Sequence, residues 1–227
     1  MHVKSSLIAL SLALICLSPR ATLADTVTLT GLGGQSTDGV YVYPYLFTVT
    51  GPGIDATNIS MSCLSFDREV SVGESWSANG VAVSSIGNSG LDGESQPSYI
   101  EDAWLYNQYA HATTAQQISD IQFAIWDVMD PTSAVTSESG YTSGYSTSAA
   151  SLDTQALAAF HSGNWNFDAQ DSVFVPVSWP SGDGQPQIFM VAPMPTATPE
   201  PSSLILLGTG LFGTVFVMRR KLKLHVA

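Results

Sequence analysis

The sequence predicts an α+β domain with a β-rich sandwich or barrel-like core and a helical insertion over about residues 97–162, followed by one C-terminal transmembrane helix. Three observations predict this architecture. Segments near both ends of the domain alternate Thr, Val, Tyr and Ile in the manner of half-buried strands. The segment between them shows helical spacing and capping residues. An uncharged run near the C-terminus is followed by basic residues. Strands, helices and strands in that order indicate an α+β domain.

The segments that follow residue 25 read as strands separated by turns. We expect strands at residues 26–32, 40–50 and 58–66. Pro44 should break the second strand or place it at an edge, because proline cannot donate to the ladder. In the third strand Met61 and Cys63 share a face, which predicts a buried or half-buried thiol. Residues 70–96 are rich in Gly, Ser and Asn and read as loops and hairpins, with a short strand near residues 80–86.

The helical insertion is expected to contain three helices, over about residues 97–111, 115–130 and 152–161. Thr113 or Thr114 caps the second helix, each with a glutamine three residues later as in a capping box. Ser151 is expected to cap the third helix and Gly163 to end it. Strands then return at residues 172–179 and 187–192.

One polar residue interrupts the apolar stripe of the second helix. The stripe consists of Ile118, Ile121, Gln122, Ile125 and Met129. Because its neighbours are apolar, the Gln122 carboxamide should be desolvated and must find partners. A hydrogen bond to the backbone of a neighbouring strand is one way to satisfy it. Reaction with a nearby thiol is another.

The N-terminus reads as a targeting segment. Lys4 precedes an uncharged run over residues 5–19, and Thr22-Leu23-Ala24 offers small residues for cleavage, which predicts a signal peptide at residues 1–24. Cys16 lies in this segment, so Cys63 is the only cysteine after it and no intramolecular disulfide is expected.

The C-terminus has the pattern of a membrane-sorting tail. A Pro-rich linker, PMPTATPEP, covers residues 193–201 after the globular domain at residues 25–192. Residues 202–227 then form a sorting helix and a basic tail, in which the 15 uncharged residues 204–218 can just cross a bilayer. Basic residues after this run hold the C-terminus in the cytoplasm, which places the domain outside the inner membrane.

This tail resembles the PEP-CTERM sorting signal of Gram-negative bacteria. The residues that carry the resemblance are Pro199, Glu200, Pro201, Arg219, Arg220 and Lys221. The resemblance implies an exosortase-type membrane protease as a partner. It also implies an inner-membrane-anchored precursor that becomes a cell-surface or extracellular protein.

The charge of the domain limits its partners. Residues 25–201 contain all 19 acidic residues and one basic residue, Arg68. Their formal charge is therefore −18 with histidines neutral. Such a field repels nucleic acid, so we expect no nucleic-acid partner.

Two segments resemble the thioester domains of bacterial surface adhesins. Residues 122–126 fit the Gln-x-Ala-apolar-Trp motif of that family, and Cys63 with Asp67 behind it fits the Cys-acid motif loosely, since the acid follows four residues later instead of two. Ile121 replaces the hydroxyl residue usual before the glutamine. The resemblance implies a thioester between Cys63 and Gln122, with Asp67, Ala124, Ile125 and Trp126 around it.

These patterns predict a non-enzymatic surface or matrix protein without a cofactor or metal. It attaches through the thioester to a ligand bearing an amine or hydroxyl. The alternative is a noncovalent module that binds exopolysaccharide or another matrix ligand. No Ser-His-Asp arrangement, P-loop or dinucleotide fingerprint is visible.

Overall fold

The β-rich core is a closed antiparallel barrel. In this computed structural model, residues 24–52, 54–66, 68–91, 93–130, 146–165, 171–177 and 188–192 are described. Their strands are β1 (Asp25–Leu32), β2 (Ser36–Thr37), β3 (Val40–Tyr41), β4 (Tyr45–Gly51), β5 (Ile54–Cys63), β6 (Ser75–Ala82), β7 (Ser172–Pro176) and β8 (Phe189–Val191). The barrel order is β1-β4-β5-β8-β7-β6, and β6 pairs again with β1. β2 and β3 form a separate small hairpin.

Alternation along the strands fills the barrel. Val27 and Leu29 of β1 are fully buried, as are Phe47 and Val49 of the neighbouring β4. These residues point inward at every second position, which is the period of a pleated strand. Phe47 meets Phe189 of β8 edge-on with ring centroids 4.5 Å apart, so the aromatic core links two strands that do not pair with each other.

The helical insertion lies between β6 and β7, as predicted. The helices among the described residues are α1 (Gln96–Gln108), α2 (Ala115–Met129) and α3 (Thr147–Ser162). They pack on one another, with α2 against β5 and α1 against β8. Thr114 caps α2 in a full capping box with Gln117, which confirms one of the two predicted caps. The insertion thus covers the β5–β8 side of the barrel.

The third helix begins earlier than the sequence pattern predicts. Its cap is Ser146, whose side chain accepts the backbone N–H groups of Ser148 and Ala149, and not Ser151. Burial of Ala149 in the contact with the other helices extends α3 through a stretch of small residues without a strong helical period. Gly163 ends the helix with φ 69°, as predicted.

Strand β6 is the largest departure from the sequence prediction. Its first half, from Ser75, falls in a stretch predicted as loops. Pairing with β1 on one side and β7 on the other satisfies its backbone, so tertiary hydrogen bonding overrides a weak local preference.

Two other strand predictions shift at their ends. β5 ends at Cys63, before Phe66. The predicted strand over residues 40–50 is broken at the cis peptide bond between Tyr43 and Pro44, as the position of the proline suggested.

Several predicted features lie outside the described residues. They are the signal peptide up to residue 23, Asp67, the Pro-rich linker, the PEP motif with its basic residues, and the spanning run at residues 204–218. Within the ranges that the structure describes, no helix is both long and apolar enough to cross a membrane.

Candidate functional site

Helix α2 carries Gln122 into the contact between the helices and strand β5. Gln122 has no exposed surface, and Ile121 and Ile125 beside it are also buried. The capping box of Thr114 and Gln117 fixes where the helix begins, and therefore which residues face the barrel. The prediction that the carboxamide is desolvated is confirmed.

Three hydrogen bonds satisfy this carboxamide. Its Oε1 accepts from the Ser62 and Tyr109 hydroxyls, each at 3.1 Å. Its Nε2 donates to the backbone carbonyl oxygen of Cys63 at 2.7 Å. Two O–H donors on one carbonyl oxygen draw electron density away from the carboxamide carbon, and they would stabilise negative charge on that oxygen.

Tyr109 is held as a donor by its surroundings. Burial raises the pKa of its hydroxyl well above the usual range, so the group stays protonated. The Tyr109 ring stacks on Tyr43 with centroids 3.8 Å apart. A rigid, protonated phenol therefore faces the Gln122 oxygen.

Neither hydroxyl partner is conspicuous in the sequence. The alternation of β5 is a signal for Ser62, because it turns this residue to the face opposite Met61 and Cys63, toward the helices. Tyr109 lies in the 3₁₀ turn after α1. Its ring belongs to an aromatic series that reads equally well as core, so only the packing of α1 against α2 reveals its role.

Cys63 lies at the end of β5, and its backbone carbonyl contacts Gln122. Its side chain is 1% exposed, and it pairs with Phe189 of β8. The thiol Sγ donates to the Ser65 carbonyl oxygen at 3.2 Å. The structure thus brings the two predicted residues together, and the hydrogen bond that joins them runs from the Gln122 carboxamide to the Cys63 backbone. The thioester itself stays a prediction.

A cavity of about 500 Å³ opens beside Cys63. Its floor is formed by the buried residues Cys63, Tyr45 and Trp126, and its rim includes Tyr41 and Val72, which are 51% and 55% exposed. Residues after β5 complete the wall. We call this space the Cys63 cavity.

Of the other residues predicted to surround the thioester, some lie in the core and one lines the Cys63 cavity. Ala124 and Ile125 are fully buried. Trp126 lines the Cys63 cavity and meets the Phe66 ring edge-on, with ring centroids 4.9 Å apart. The indole Nε1–H of Trp126 has no hydrogen-bond partner among the described residues. Asp67 lies outside those residues.

A second cavity, of about 550 Å³, lies among the three helices. Asp120 lines it, is 5% exposed, and accepts from Gln116 Nε2 at 2.9 Å and Ser146 Oγ at 2.7 Å. Within the described parts of the chain, no group of three His, Cys, Asp or Glu side chains is placed to hold a metal ion.

The fold and site define a barrel domain with a buried Cys-Gln neighbour pair beside an open cavity. The comparisons with known proteins add where the chain is sent. A family model described as the PEP-CTERM protein-sorting motif matches residues 197–221, so the chain carries this motif. The motif implies an exported protein, made as a membrane-anchored precursor and sorted through an exosortase to the cell surface. No curated protein and no solved structure matches the chain.

Proposed function

We propose that the domain is a surface- or matrix-attachment module in which Cys63 and Gln122 form an internal thioester that captures a ligand. The observation that supports this most is the buried Gln122 carboxamide, which donates to the backbone carbonyl oxygen of Cys63 and has two hydroxyl donors on its own oxygen. The likeness of residues 122–126 to the motif of adhesin thioester domains adds to it. Each molecule would react once, so the module is not an enzyme.

Formation of the thioester requires the Cys63 thiol to leave the Ser65 carbonyl oxygen and turn toward Gln122, since in this structure the hydrogen bond between Cys63 and the carboxamide is made by the Cys63 backbone. The Cys63 sulfur attacks the Gln122 carboxamide carbon, an S–C bond forms, the C–N bond breaks, and the thiol proton leaves with the nitrogen as ammonia. The Ser62 and Tyr109 hydroxyls donate to the oxygen throughout and stabilise the tetrahedral intermediate. The reaction ends the hydrogen bond between Gln122 Nε2 and the Cys63 carbonyl.

In the capture of the ligand, the Cys63 sulfur is the leaving group and no longer the nucleophile. An amine or hydroxyl of the ligand attacks the acyl carbon, the C–S bond breaks, and the proton of the nucleophile passes to the sulfur. The ligand ends as an amide or ester of the former Gln122 side chain, and the Cys63 thiol is restored. Burial of both residues protects the thioester from water until a ligand reaches it.

A second candidate is a noncovalent ligand-binding module. The three hydrogen bonds of Gln122 satisfy its carboxamide without any bond to sulfur, as for an ordinary buried glutamine. In this case Gln122 fixes α2 on β5, and the Cys63 cavity alone holds a matrix ligand such as exopolysaccharide.

The intact mass of the exported protein tests the first proposal. We expect a mass one ammonia below that calculated for the processed sequence, and the full calculated mass in Cys63→Ala and in Gln122→Ala. Gln155→Ala, an exposed glutamine of α3, is the matched control and should keep the deficit. Methylamine should add to Gln122 in the wild type and in Gln155→Ala but in neither other variant, as mapped on peptides from a protease that cleaves at aspartate, because Asp120 and Asp127 flank Gln122.

Two measurements together would contradict the thioester. A full sequence mass, with a Cys63 thiol that alkylates completely in denaturant, contradicts the thioester. Ligand binding that is unchanged in Cys63→Ala then favours the noncovalent module.

A further inference from the structure

The Cys63 cavity leads from solvent to Cys63, the sulfur-bearing member of the proposed reactive pair. Its rim is Tyr41 of the β2–β3 hairpin and Val72, both about half exposed, and its floor includes Cys63 at 1% exposure. The Tyr45 hydroxyl on the floor donates to the Tyr41 carbonyl at 2.6 Å, so the hairpin that forms the rim is tied to the barrel. A ligand unit can therefore enter from outside and reach the Cys63 end of β5.

The lining combines flat rings with a few hydrogen-bonding groups. The rings are Tyr41, Tyr45, Phe66 and Trp126, and the polar groups include Arg68 and Glu69. Aromatic faces pack on the C–H faces of sugar rings, while a guanidinium donates to hydroxyls and a carboxylate accepts from them. The volume of about 500 Å³ lies within the roughly 300–1,000 Å³ typical of small-molecule sites.

Charge selects among possible ligands. A polyanion is repelled by the domain, which carries a formal charge of −18 between residues 25 and 201. A protonated amine is attracted at long range but meets the Arg68 guanidinium in the wall of the cavity. The lining holds one cationic side chain, Arg68, and one anionic side chain, Glu69, and this mixed lining favours a neutral, hydroxyl-rich ligand.

We infer that the Cys63 cavity binds a sugar unit of a neutral polysaccharide and presents one of its hydroxyls to the Cys63–Gln122 pair. This inference rests on the proposed function, because the pair is the group that would capture the ligand. Attack by the sugar hydroxyl forms a C–O bond and breaks the C–S bond, with the hydroxyl proton passing to sulfur. The product is a sugar ester of the former Gln122 side chain.

Binding of defined oligosaccharides by the full-length protein in detergent tests the inference. The probes are neutral gluco-, manno- and galacto-oligosaccharides, with alginate oligomers and oligolysine as the anionic and cationic comparisons, followed by calorimetric titration. We expect saturable binding of at least one neutral oligosaccharide. Tyr41→Ala should weaken it about tenfold through loss of a stacking ring. Val72→Glu, which alters the rim without touching the core, should also weaken it.

Two controls separate this inference from the thioester proposal. Leu157→Ala removes an equally exposed apolar side chain, 44% exposed, from α3 and should leave affinity unchanged. Tyr41→Ala and Val72→Glu change the rim and not the reactive pair, so both should keep the ammonia deficit of the wild type in intact mass while they bind the oligosaccharide more weakly. The thioester is judged by mass alone, and the ligand class by this titration.

Two results would overturn the inference. One is that no neutral oligosaccharide binds saturably, whether oligolysine or alginate binds instead or no probe binds at all. The other is neutral-oligosaccharide binding that Tyr41→Ala and Val72→Glu leave as strong as Leu157→Ala does, which would place the sugar site elsewhere.

Discussion

Gln122 Nε2 donates to the carbonyl oxygen of Cys63 across 2.7 Å, at the last residue of strand β5. This bond ties the middle of α2 to the barrel wall. It holds the Gln122 carboxamide beside the residue that carries the thiol, and the proposed thioester would replace it with a covalent link between the same two residues.

The Tyr109 hydroxyl should contribute measurably to stability. Tyr109→Phe removes one of the two O–H donors on Gln122 Oε1 in a fully buried setting. We expect a loss of about 1 kcal/mol in the free energy of unfolding, measured by urea denaturation. Tyr41→Phe changes an exposed ring and should stay within about 0.5 kcal/mol of the wild type. Equal effects of the two variants would contradict the assigned role of Tyr109.

A buried carboxyl group should make the domain less stable as pH rises. Asp102 of α1 is 0% exposed, and among the described residues neither of its carboxyl oxygens has a hydrogen-bond partner. Burial raises its pKa well above the usual range, and the charges of Glu101, Asp153 and Glu94 raise it further. The folded state therefore keeps a proton that the unfolded state releases near pH about 3.9.

The sign of the pH effect follows from this difference. Between the unfolded and folded pKa values the native state binds more protons, so stability falls as pH rises, by up to about 1.4 kcal/mol per pH unit for this group. Asp102→Asn cannot ionise and should flatten this slope and be more stable than the wild type at pH 7. Asp55→Asn, an exposed site on β5, is the control and should keep the slope. Denaturation curves at several pH values measure both, and parallel slopes for Asp102→Asn and wild type would refute the prediction.

The cap of α3 should matter more than the cap of α2. Ser146 Oγ accepts the N–H groups of Ser148 and Ala149 and also donates to Asp120 at 2.7 Å. Ser146→Ala should cost about 1–2 kcal/mol, and Thr114→Ala should cost less because the Thr114 hydroxyl serves only the end of its own helix. Thermal unfolding of the two variants ranks them, and the reverse order would show that Asp120 does not need this donor.

Two neighbouring glycines separate backbone strain from steric overlap. Gly90 and Gly93 have φ of 74° and 90°. A Cβ on Gly93 meets nothing within 4 Å, whereas one on Gly90 would overlap the carbonyl oxygen of Glu94. Gly93→Ala should cost about 1 kcal/mol from the positive φ, and Gly90→Ala a further 1–3 kcal/mol or so from the overlap. Equal losses in urea denaturation would contradict the close approach of Glu94.

The sequence by itself determines the features that depend on near neighbours. The period of the apolar stripe and the capping box locate α2 and predict that Gln122 is desolvated, because both signals lie within one helix. Pro44 marks the break between β3 and β4 for the same reason. The sorting motif is also a local pattern of prolines, apolar residues and basic residues.

Only the tertiary structure decides which distant residues meet. Ser75 begins a barrel strand because β1 and β7 supply its hydrogen bonds, although its local sequence favours a loop. Ser62 and Tyr109, 47 residues apart, converge on Gln122 because α1 and α2 pack together over β5. Hydrogen bonding and burial in these places come from parts of the chain far apart in sequence, and no window of local residues contains them.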